Sequence, residues 1–205
     1  RNFAKVDFVI RDGRLEIKPI DVTVTITGHN ETKAYDGEDH TVEGYDVKIS
    51  DPLYKEGDFT FSGEATATRK LVGTTNMGLA AGQFANTNNN FKTVTFEVKD
   101  GYETITAKDD VVVTITEHSD AVDYDGEAHA VEGYDVKISN ALYSEADFTF
   151  SGEASVSGTE AKSYDMELKP EDFKNINDNF TNVTFVIVDG ELEIKPIDVT
   201  VTIRL

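Results

Sequence analysis

The chain has 205 residues, of which 39% are hydrophobic, and its formal net charge is -20. That apolar content can build two modest cores and excludes a disordered chain, while the acidic surface repels phosphate and argues against nucleic acid as a partner. The absence of cysteine excludes disulfides, zinc-thiolate sites and cysteine nucleophiles. No apolar run approaches the roughly 18 residues that a membrane span needs, so we expect no membrane insertion in this part of the protein.

Residues 1–20 predict a β-hairpin at the beginning of the chain. Apolar residues alternate with polar ones from Val6 to Ile10, and Asp12-Gly13 then supplies a strong turn signal. The same pattern recurs at residues 179–196, where it predicts a second, closing hairpin. We therefore interpret residues 1–20 as the C-terminal hairpin of a preceding repeat. Because a lone hairpin exposes unpaired backbone edges, we expect it to pair with a neighbouring module or with another molecule.

A β-branched run that begins at Asp21 opens the first complete repeat. The run recurs from Asp110 and begins again at Asp198, and many residues between these points recur in register. Self-similarity at a fixed period is the signature of a repeat architecture. The predicted domains are repeat module 1 at 21–108 (copy 1), repeat module 2 at 109–197 (copy 2) and the first strand of a following repeat at 198–205.

The predicted strands of each copy are short and are separated by Gly, Asn and Asp turns. No window sustains the helical period over three turns. These features predict an all-β fold with two tandem immunoglobulin-like β-sandwich modules in an elongated array. A β-grasp-like sheet with one short helix is the alternative for each module.

A Tyr-Asp-Gly motif occurs once in each copy. Its glycine allows a tight turn, its aspartate can bond nearby backbone groups, and its tyrosine can pack inward. We therefore interpret the motif as a structural turn and not as a binding site. The residues concerned are Tyr35, Asp36 and Gly37 in copy 1 and Tyr124, Asp125 and Gly126 in copy 2.

The ends of the repeats share the pattern Asp-Gly-x-Leu-x-Ile-x-Pro at residues 12–19 and 189–196. Together with the β-branched opening strand and the Tyr-Asp-Gly motif, this pattern resembles the YDG and MBG-type repeat modules of bacterial cell-surface adhesin-like proteins. Copy 1 departs from it, because residues 100–105 lack both the leucine and the proline. The resemblance implies a bacterial protein that is extracellular, at the cell surface or secreted, and it transfers no catalytic residues.

Two histidines recur in each copy, as His29 and His40 and then as His118 and His129. A metal site needs a third ligand at a recognised spacing, and none accompanies them in the sequence. We interpret the histidines as polar loop residues. Paired carboxylates are frequent in so acidic a chain, and without a pocket they predict no catalytic residue.

An asparagine cluster in each copy places side-chain oxygens at alternate positions, as the first part of a calcium loop does. The glycine at the sixth position and the distal bidentate glutamate of such a loop are missing, so calcium is a minor alternative and no other cofactor is predicted. Asparagine also caps turns, which is the competing interpretation. The weak calcium candidates are Asn86, Asn88, Asn90, Asn175, Asn177 and Asn179.

Two further side-chain classes leave alternatives open. Lys48 and Lys137 lie in predicted strands and could form an isopeptide cross-link if they pointed into the core, although such lysines more often face solvent. Repeated aromatic residues could stack on sugars if they were exposed, but their recurrence fits a shared core more simply.

These observations predict a non-catalytic structural or adhesion repeat of a bacterial surface or secreted protein, acting as a spacer or stalk. The expected partners are neighbouring repeats of the same chain, with a host glycan or protein as a further partner. One alternative is a glycan- or mucin-binding module. Another is an accessory domain of an extracellular carbohydrate-active enzyme.

Overall fold

The structure, a computed structural model, describes residues 2–204 and is all-β in that range. It contains 20 strands and four 3₁₀ turns, and no α-helix occurs within the described residues. The predicted all-β class is therefore confirmed, and the β-grasp-like alternative lacks the helix it requires. Among these residues no helix has the length and apolar content needed to cross a membrane.

Copy 1 contains ten strands and two 3₁₀ turns, at Glu56–Asp58 and Ala81–Gln83. The strands pair in the orders β4-β1-β9, β2-β10-β7, β3-β6 and β5-β8. They are β1 (Ile20–Gly28), β2 (Asn30–Ala34), β3 (His40–Glu43), β4 (Tyr45–Ile49), β5 (Phe59–Phe61), β6 (Thr66–Arg69), β7 (Gly73–Asn76), β8 (Phe84–Asn86), β9 (Phe91–Lys99) and β10 (Tyr102–Thr106).

Copy 2 repeats this arrangement, with 3₁₀ turns at Glu145–Asp147 and Pro170–Asp172. Its strands pair in the orders β14-β11-β19, β12-β20-β17, β13-β16 and β15-β18, which is the order of copy 1. They are β11 (Val111–Glu117), β12 (Asp120–Asp123), β13 (His129–Glu132), β14 (Tyr134–Ile138), β15 (Phe148–Phe150), β16 (Ser155–Gly158), β17 (Ser163–Asp165), β18 (Phe173–Asn175), β19 (Val183–Val188) and β20 (Glu191–Lys195).

The last two strands of each copy belong to different sheets. Strand β19 pairs in parallel with β11, whereas β20 pairs with β12 and β17. The closing hairpin predicted within residues 179–196 is therefore wrong, because its two strands do not pair with each other. The Asp189-Gly190 step instead carries the chain from one sheet to the other. A Cβ atom at Gly190 would lie 2.7 Å from the carbonyl oxygen of Glu117, so glycine is needed here for a close backbone approach.

No strand is assigned in residues 2–19 or in residues 196–204. The hairpin predicted for residues 1–20 is therefore not formed by its described part, residues 2–19. The reason follows from copy 2, where the strands of this pattern pair with earlier strands of the same copy and not with each other. The described part of the tail pairs with no strand of this chain, and pairing with another molecule remains a prediction. Residues 1 and 205 of the predicted terminal segments lie outside the described residues.

Aromatic and β-branched side chains fill the cores. In copy 2 the buried residues of β11 share one cluster with Phe173, Leu192 and Ile194. In copy 1 the buried residues of β1 pack with Tyr54, Phe84 and others. The recurrent aromatics are buried or half-buried in these cores, so their rings are not fully exposed as a platform for sugars.

The chain divides into two compact units that do not follow the repeat boundaries. The first unit comprises the chain up to Asn30, Val42–Ala67 and Asn76–Tyr102. The second comprises Glu31–Thr41, Thr68–Thr75 and the chain from Glu103 onward. Residues of both copies thus meet inside the second unit.

Candidate functional site

The Tyr-Asp-Gly motif forms the same turn in both copies. The backbone N–H of Glu38 donates to Asp36 Oδ1 at 3.0 Å, and His40 Nε2 lies 2.9 Å from the same oxygen. Gly37 has a φ of 83°, which glycine adopts without strain. The backbone N–H of Glu38, and then the imidazole of His40, lower the pKa of the Asp36 carboxyl.

In copy 2 the corresponding contacts recur around Asp125. Its Oδ1 accepts the backbone N–H of Glu127 at 2.9 Å and lies 2.9 Å from His129 Nε2. The pKa of the Asp125 carboxyl is lowered by the same two causes. In both copies the aspartate of the motif is thus bonded to the backbone of the turn and to the histidine four residues later.

Around this turn, copy 1 meets copy 2 inside the second unit, and we call this contact the junction. It consists of Tyr35, Gly37 and Val72 from copy 1 with Leu142, Asn179 and Phe180 from copy 2. The rings of Tyr35 and Phe180 meet edge to face, with centroids 5.5 Å apart. A Cβ atom at Gly37 would lie 3.2 Å from Leu142 Cδ2, so the turn backbone packs directly against that side chain.

Hydrogen bonds hold the junction beside these apolar contacts. The backbone N–H of Val72 donates to Asn179 Oδ1 at 2.9 Å. The segment that connects the copies is held as well, because Lys108 N donates to the carbonyl of Asn179 and Thr181 N donates to the carbonyl of Lys108, each at 2.9 Å. Both bonds attach Lys108 to residues 179–181, so the last residue of copy 1 is held against copy 2.

A cavity of about 420 Å³ opens beside the junction. Its walls carry the guanidinium of Arg69 and the carboxylates of Asp147 and Asp178, together with several apolar side chains. Arg69 Nη2 donates to the carbonyl of Val72 at 2.6 Å, which holds the loop that reaches Asn179. The cavity thus combines one cation with two acids, and its arginine supports the junction.

The asparagine clusters form ladders of turns in which the side chains bond the backbone. Asn86 Oδ1 accepts the N–H of Asn88, and Asn88 Oδ1 accepts the N–H of Asn90, both at 3.0 Å. In copy 2, Asn175, Asn177 and Asn179 repeat the ladder. Tyr54 and Tyr143 also donate their hydroxyls to the first asparagine of each ladder. Protein N–H and O–H groups thus already occupy the oxygens of the first two positions.

The other histidine of each copy, His29 or His118, lies outside the turn and bonds a backbone carbonyl and an aspartate. His29 Nδ1 lies 2.7 Å from the carbonyl oxygen of Glu43, and its Nε2 lies 3.3 Å from Asp46. The Glu43 carbonyl, and then Asp46, raise the pKa of His29, and Glu132 and Asp135 do the same for His118. Within residues 2–204, no group of three His, Cys, Asp or Glu side chains is placed to hold a metal ion.

The sequence did not predict that two carboxylates, those of Glu117 and Glu103, are buried. Glu117 is 4% exposed, and its two oxygens accept the backbone N–H groups of Leu168 and Gly190, each at 2.8 Å. The equivalent residue in copy 1 is Gly28, and there Asp100 accepts the N–H groups of Gly78 and Leu79 instead. The only sequence signal was that Glu117 occupies an inward position of an alternating strand.

Glu103 is the second buried carboxylate and has no hydrogen-bond partner among the described residues. It lies on β10 with no solvent exposure, at the position that Leu192 holds in copy 2. The departure of copy 1 from the Asp-Gly-x-Leu pattern was the visible signal. Its consequence is a carboxyl group in place of an apolar core side chain.

Lys48 and Lys137 are exposed on β4 and β14. Their outward position follows from strand alternation, since Val47 and Ile49, and likewise Val136 and Ile138, face the other way. Neither lysine is therefore placed for a cross-link in the core.

Comparison with known proteins identifies one segment. Residues 111–203 match the family described as the MBG domain, and the match begins at Val111, the first residue of β11. It therefore includes every strand of copy 2. No curated protein and no solved structure matches the chain. The predicted resemblance to YDG and MBG-type modules is confirmed for this segment.

Proposed function

Because residues 111–203 form a module of the MBG family, we propose that the chain is a non-catalytic repeat segment of a bacterial surface or secreted protein, where it acts as a spacer or stalk. Each copy would be an immunoglobulin-like β-sandwich, and the copies would follow one another in an elongated array. The proposed partners are neighbouring repeats of the same chain.

The junction carries this proposal. A spacer must transmit position from one module to the next, and a connection that is free to bend would not do so. Here the N–H and the carbonyl of Lys108 both bond the backbone of copy 2. Tyr35 contacts Phe180, and Val72 bonds Asn179. These contacts restrict the connection to few conformations, which supports a stiff spacer.

Small-angle X-ray scattering of the chain tests the proposal. We expect a single conformation with a fixed maximum dimension, and we expect Asn179→Ala to broaden the distance distribution because the Val72 bond is lost. Asn90→Ala is the matched control, since the equivalent Asn90 makes no such bond. Scattering of the unaltered chain that fits only a freely bending pair of bodies would contradict the spacer.

The cavity beside the junction favours a second candidate function, a glycan- or mucin-binding module. Its lining includes Asp178, together with Arg69 and Asp147, which already bond Val72 and Asn177 and would offer hydroxyls only their remaining hydrogen-bonding positions. Binding on a glycan array that disappears in Asp178→Ala, which lines the cavity without supporting the junction, would favour this function over the pure spacer. Turnover of a polysaccharide would instead favour a role beside a carbohydrate-active enzyme.

A further inference from the structure

The loop between β6 and β7 in copy 1 and the equivalent loop between β16 and β17 in copy 2 are each held by one long side chain. In copy 1 it is Arg69, at the end of β6, whose Nη2 donates to the carbonyl of Val72 at 2.6 Å and whose Nη1 donates to Thr75 Oγ1 at 3.2 Å. In copy 2 it is Tyr164, on β17, whose hydroxyl accepts the N–H of Glu160 at 3.0 Å and donates to the carbonyl of Glu160 at 3.2 Å. We call these the arginine version and the tyrosine version of the loop.

The two versions exclude each other, because each side chain fills the space above a glycine of the other strand. Gly158 stands at the position of Arg69, and a Cβ atom there would overlap the ring of Tyr164. Gly73 stands at the position of Lys162, and a Cβ atom there would overlap the guanidinium of Arg69. The arginine and the tyrosine therefore cannot occupy these two positions in the same copy.

The backbone of the loop also differs between the versions. Gly73 has a φ of 128°, which residues with a side chain rarely adopt. Lys162 stands at the same place in copy 2 and is not among the described residues with a positive φ. Its ammonium lies 4.5 Å from the centroid of the Tyr164 ring, so it belongs to the tyrosine version. The chain thus turns differently at this residue in the two copies.

The residue that Arg69 holds is also the residue that meets copy 2. Val72 accepts from Arg69 through its carbonyl, and its N–H donates to Asn179 Oδ1 at 2.9 Å. In the tyrosine version the held residue is Glu160, which is equivalent to Leu71 and lies one position earlier. The two versions therefore fix different residues of the loop, and the arginine version fixes the donor that the junction uses.

The arginine version is the less favourable way to fill this space. Arg69 Nε is buried and has no hydrogen-bond partner among the described residues, and a buried N–H that loses its bond to water is destabilising. The hydroxyl of Tyr164, by contrast, both donates and accepts. Packing within one copy would therefore favour tyrosine, whereas the bond to Asn179 gives the arginine a role in the junction.

We propose that Arg69, Gly73 and Thr75 together select the contact through which copy 1 joins the repeat that follows it. Arg69 is the positioning residue, because it fixes Val72 and so directs the N–H of Val72 to the following repeat. Gly73 and Thr75 leave the space that its side chain needs. A module with the tyrosine version would meet a following repeat through a different contact. This inference rests on the proposed spacer function and extends it by naming the residues that select the contact between neighbouring repeats.

Conversion of copy 1 to the tyrosine version tests the proposal. The triple variant Arg69→Gly, Gly73→Lys and Thr75→Tyr carries the residues that copy 2 has at these positions. We expect it to fold, and we expect the Val72 amide to exchange with deuterium about tenfold faster, as for the loss of one hydrogen bond of ordinary strength. Thr75→Tyr alone should destabilise copy 1, because its ring meets Arg69, and the other two replacements should relieve that loss. A single variant as stable as the triple one would overturn the exclusion.

Combination with Asn179→Ala separates a positioning role from a purely structural one. In the unaltered chain, Asn179→Ala should quicken exchange of the Val72 amide about tenfold, because the bond is lost. In the triple variant the same replacement should add nothing, since the bond is already absent. Asn90→Ala, outside the junction, should leave the Val72 amide unchanged in both backgrounds. An equal effect of Asn179→Ala in the two backgrounds overturns the proposal.

Arg69→Lys keeps the test decisive if the triple variant does not fold. Its single ammonium cannot hold both Val72 and Thr75, while the glycines stay in place. We expect Asn179→Ala to affect the Val72 amide less in this background than in the unaltered chain, and an equal effect overturns the proposal. If scattering of the unaltered chain then still fits one stiff conformation, the spacer stands without the role of Arg69. A freely bending chain overturns both.

Discussion

Copies 1 and 2 share their strand order but differ in where they bury carboxylates. Copy 2 buries Glu117, which accepts two backbone N–H groups, and places Leu192 in its core. In copy 1, Gly28 replaces Glu117 and Asp100 accepts the N–H groups instead. Glu103, which has no partner among the described residues, stands at the position of Leu192. The fold therefore requires an acceptor for the N–H of Leu79 or Leu168, but it does not require that acceptor to come from one position.

The largest effect is expected when the core residue of copy 2 is replaced by that of copy 1. Leu192→Glu removes a fully buried apolar side chain and introduces a carboxyl group without a partner. We expect a loss of about 4 kcal/mol in the free energy of unfolding of copy 2, or failure to fold. Urea denaturation followed by circular dichroism measures the loss. Leu192→Met, which preserves volume, should cost less than about 1.5 kcal/mol.

A smaller loss is expected when the carboxylate of copy 2 is removed. Glu117→Ala leaves the N–H groups of Leu168 and Gly190 without their acceptor in a buried place. We expect a loss of about 3 kcal/mol, since two buried N–H groups that lose their acceptor keep the cost of leaving water. Hydrogen exchange should quicken at both amides. Glu127→Ala, at an exposed position, should change neither stability nor exchange by a comparable amount.

The reverse replacement in copy 1 should stabilise the protein. Glu103→Leu removes a buried carboxyl group that has no partner among the described residues and restores the residue of copy 2. We expect a gain of about 2 kcal/mol in the stability of copy 1, because an unpaired polar group is costly to bury. Thermal unfolding of the chain reports it. A loss of stability would mean that Glu103 has an essential partner.

The smallest effect is expected from the turns, which are alike in both copies. The pKa values of Asp36 and Asp125 are lowered in the folded chain by backbone N–H groups and then by histidine. The stability they contribute is present above the usual aspartate pKa and is lost as the pH falls through the lowered value. Replacing both by asparagine should therefore reduce stability at neutral pH, and the difference should vanish in acid. Denaturation at a series of pH values measures it, and a difference that persists in acid would contradict the assignment.

Local patterns were sufficient to predict the repeat, the all-β class and the opening strands. They were not sufficient to predict pairing, as Phe3 and Phe180 show. The two residues occupy the same position of nearly the same sequence, yet Phe3 is 80% exposed and Phe180 is 2% exposed. The difference lies in distant partners, because the ring of Phe180 packs against Tyr35 and Tyr143 and Phe3 has no such aromatic contact within the described residues. Whether the residues of this pattern are buried therefore depends on their distant partners and not on the local sequence.

The same limit explains why the buried carboxylates were missed. Glu117 bonds amides that are 51 and 73 residues away in the chain. Alternation could show that this residue faces inward, but it could not show that two N–H groups would be there. The weak calcium candidates show the opposite case, because Asn86 and Asn88 bond residues two positions along. Turn formation of that kind is local and was predicted as the competing interpretation.

The parallel pairing of β11 with β19 has a mechanical consequence. Six residues of each strand are in register, from Val111 opposite Val183 to Thr116 opposite Val188. Tension along the chain would enter copy 2 at the beginning of β11 and leave it at the end of β20, which pairs in parallel with β12. Once β20 yields, the load reaches the end of β19, and because β11 and β19 are parallel it falls on all hydrogen bonds between them together and not on one bond after another. Copy 2 should therefore resist extension by shear, and the β1 and β9 pair gives copy 1 the same protection.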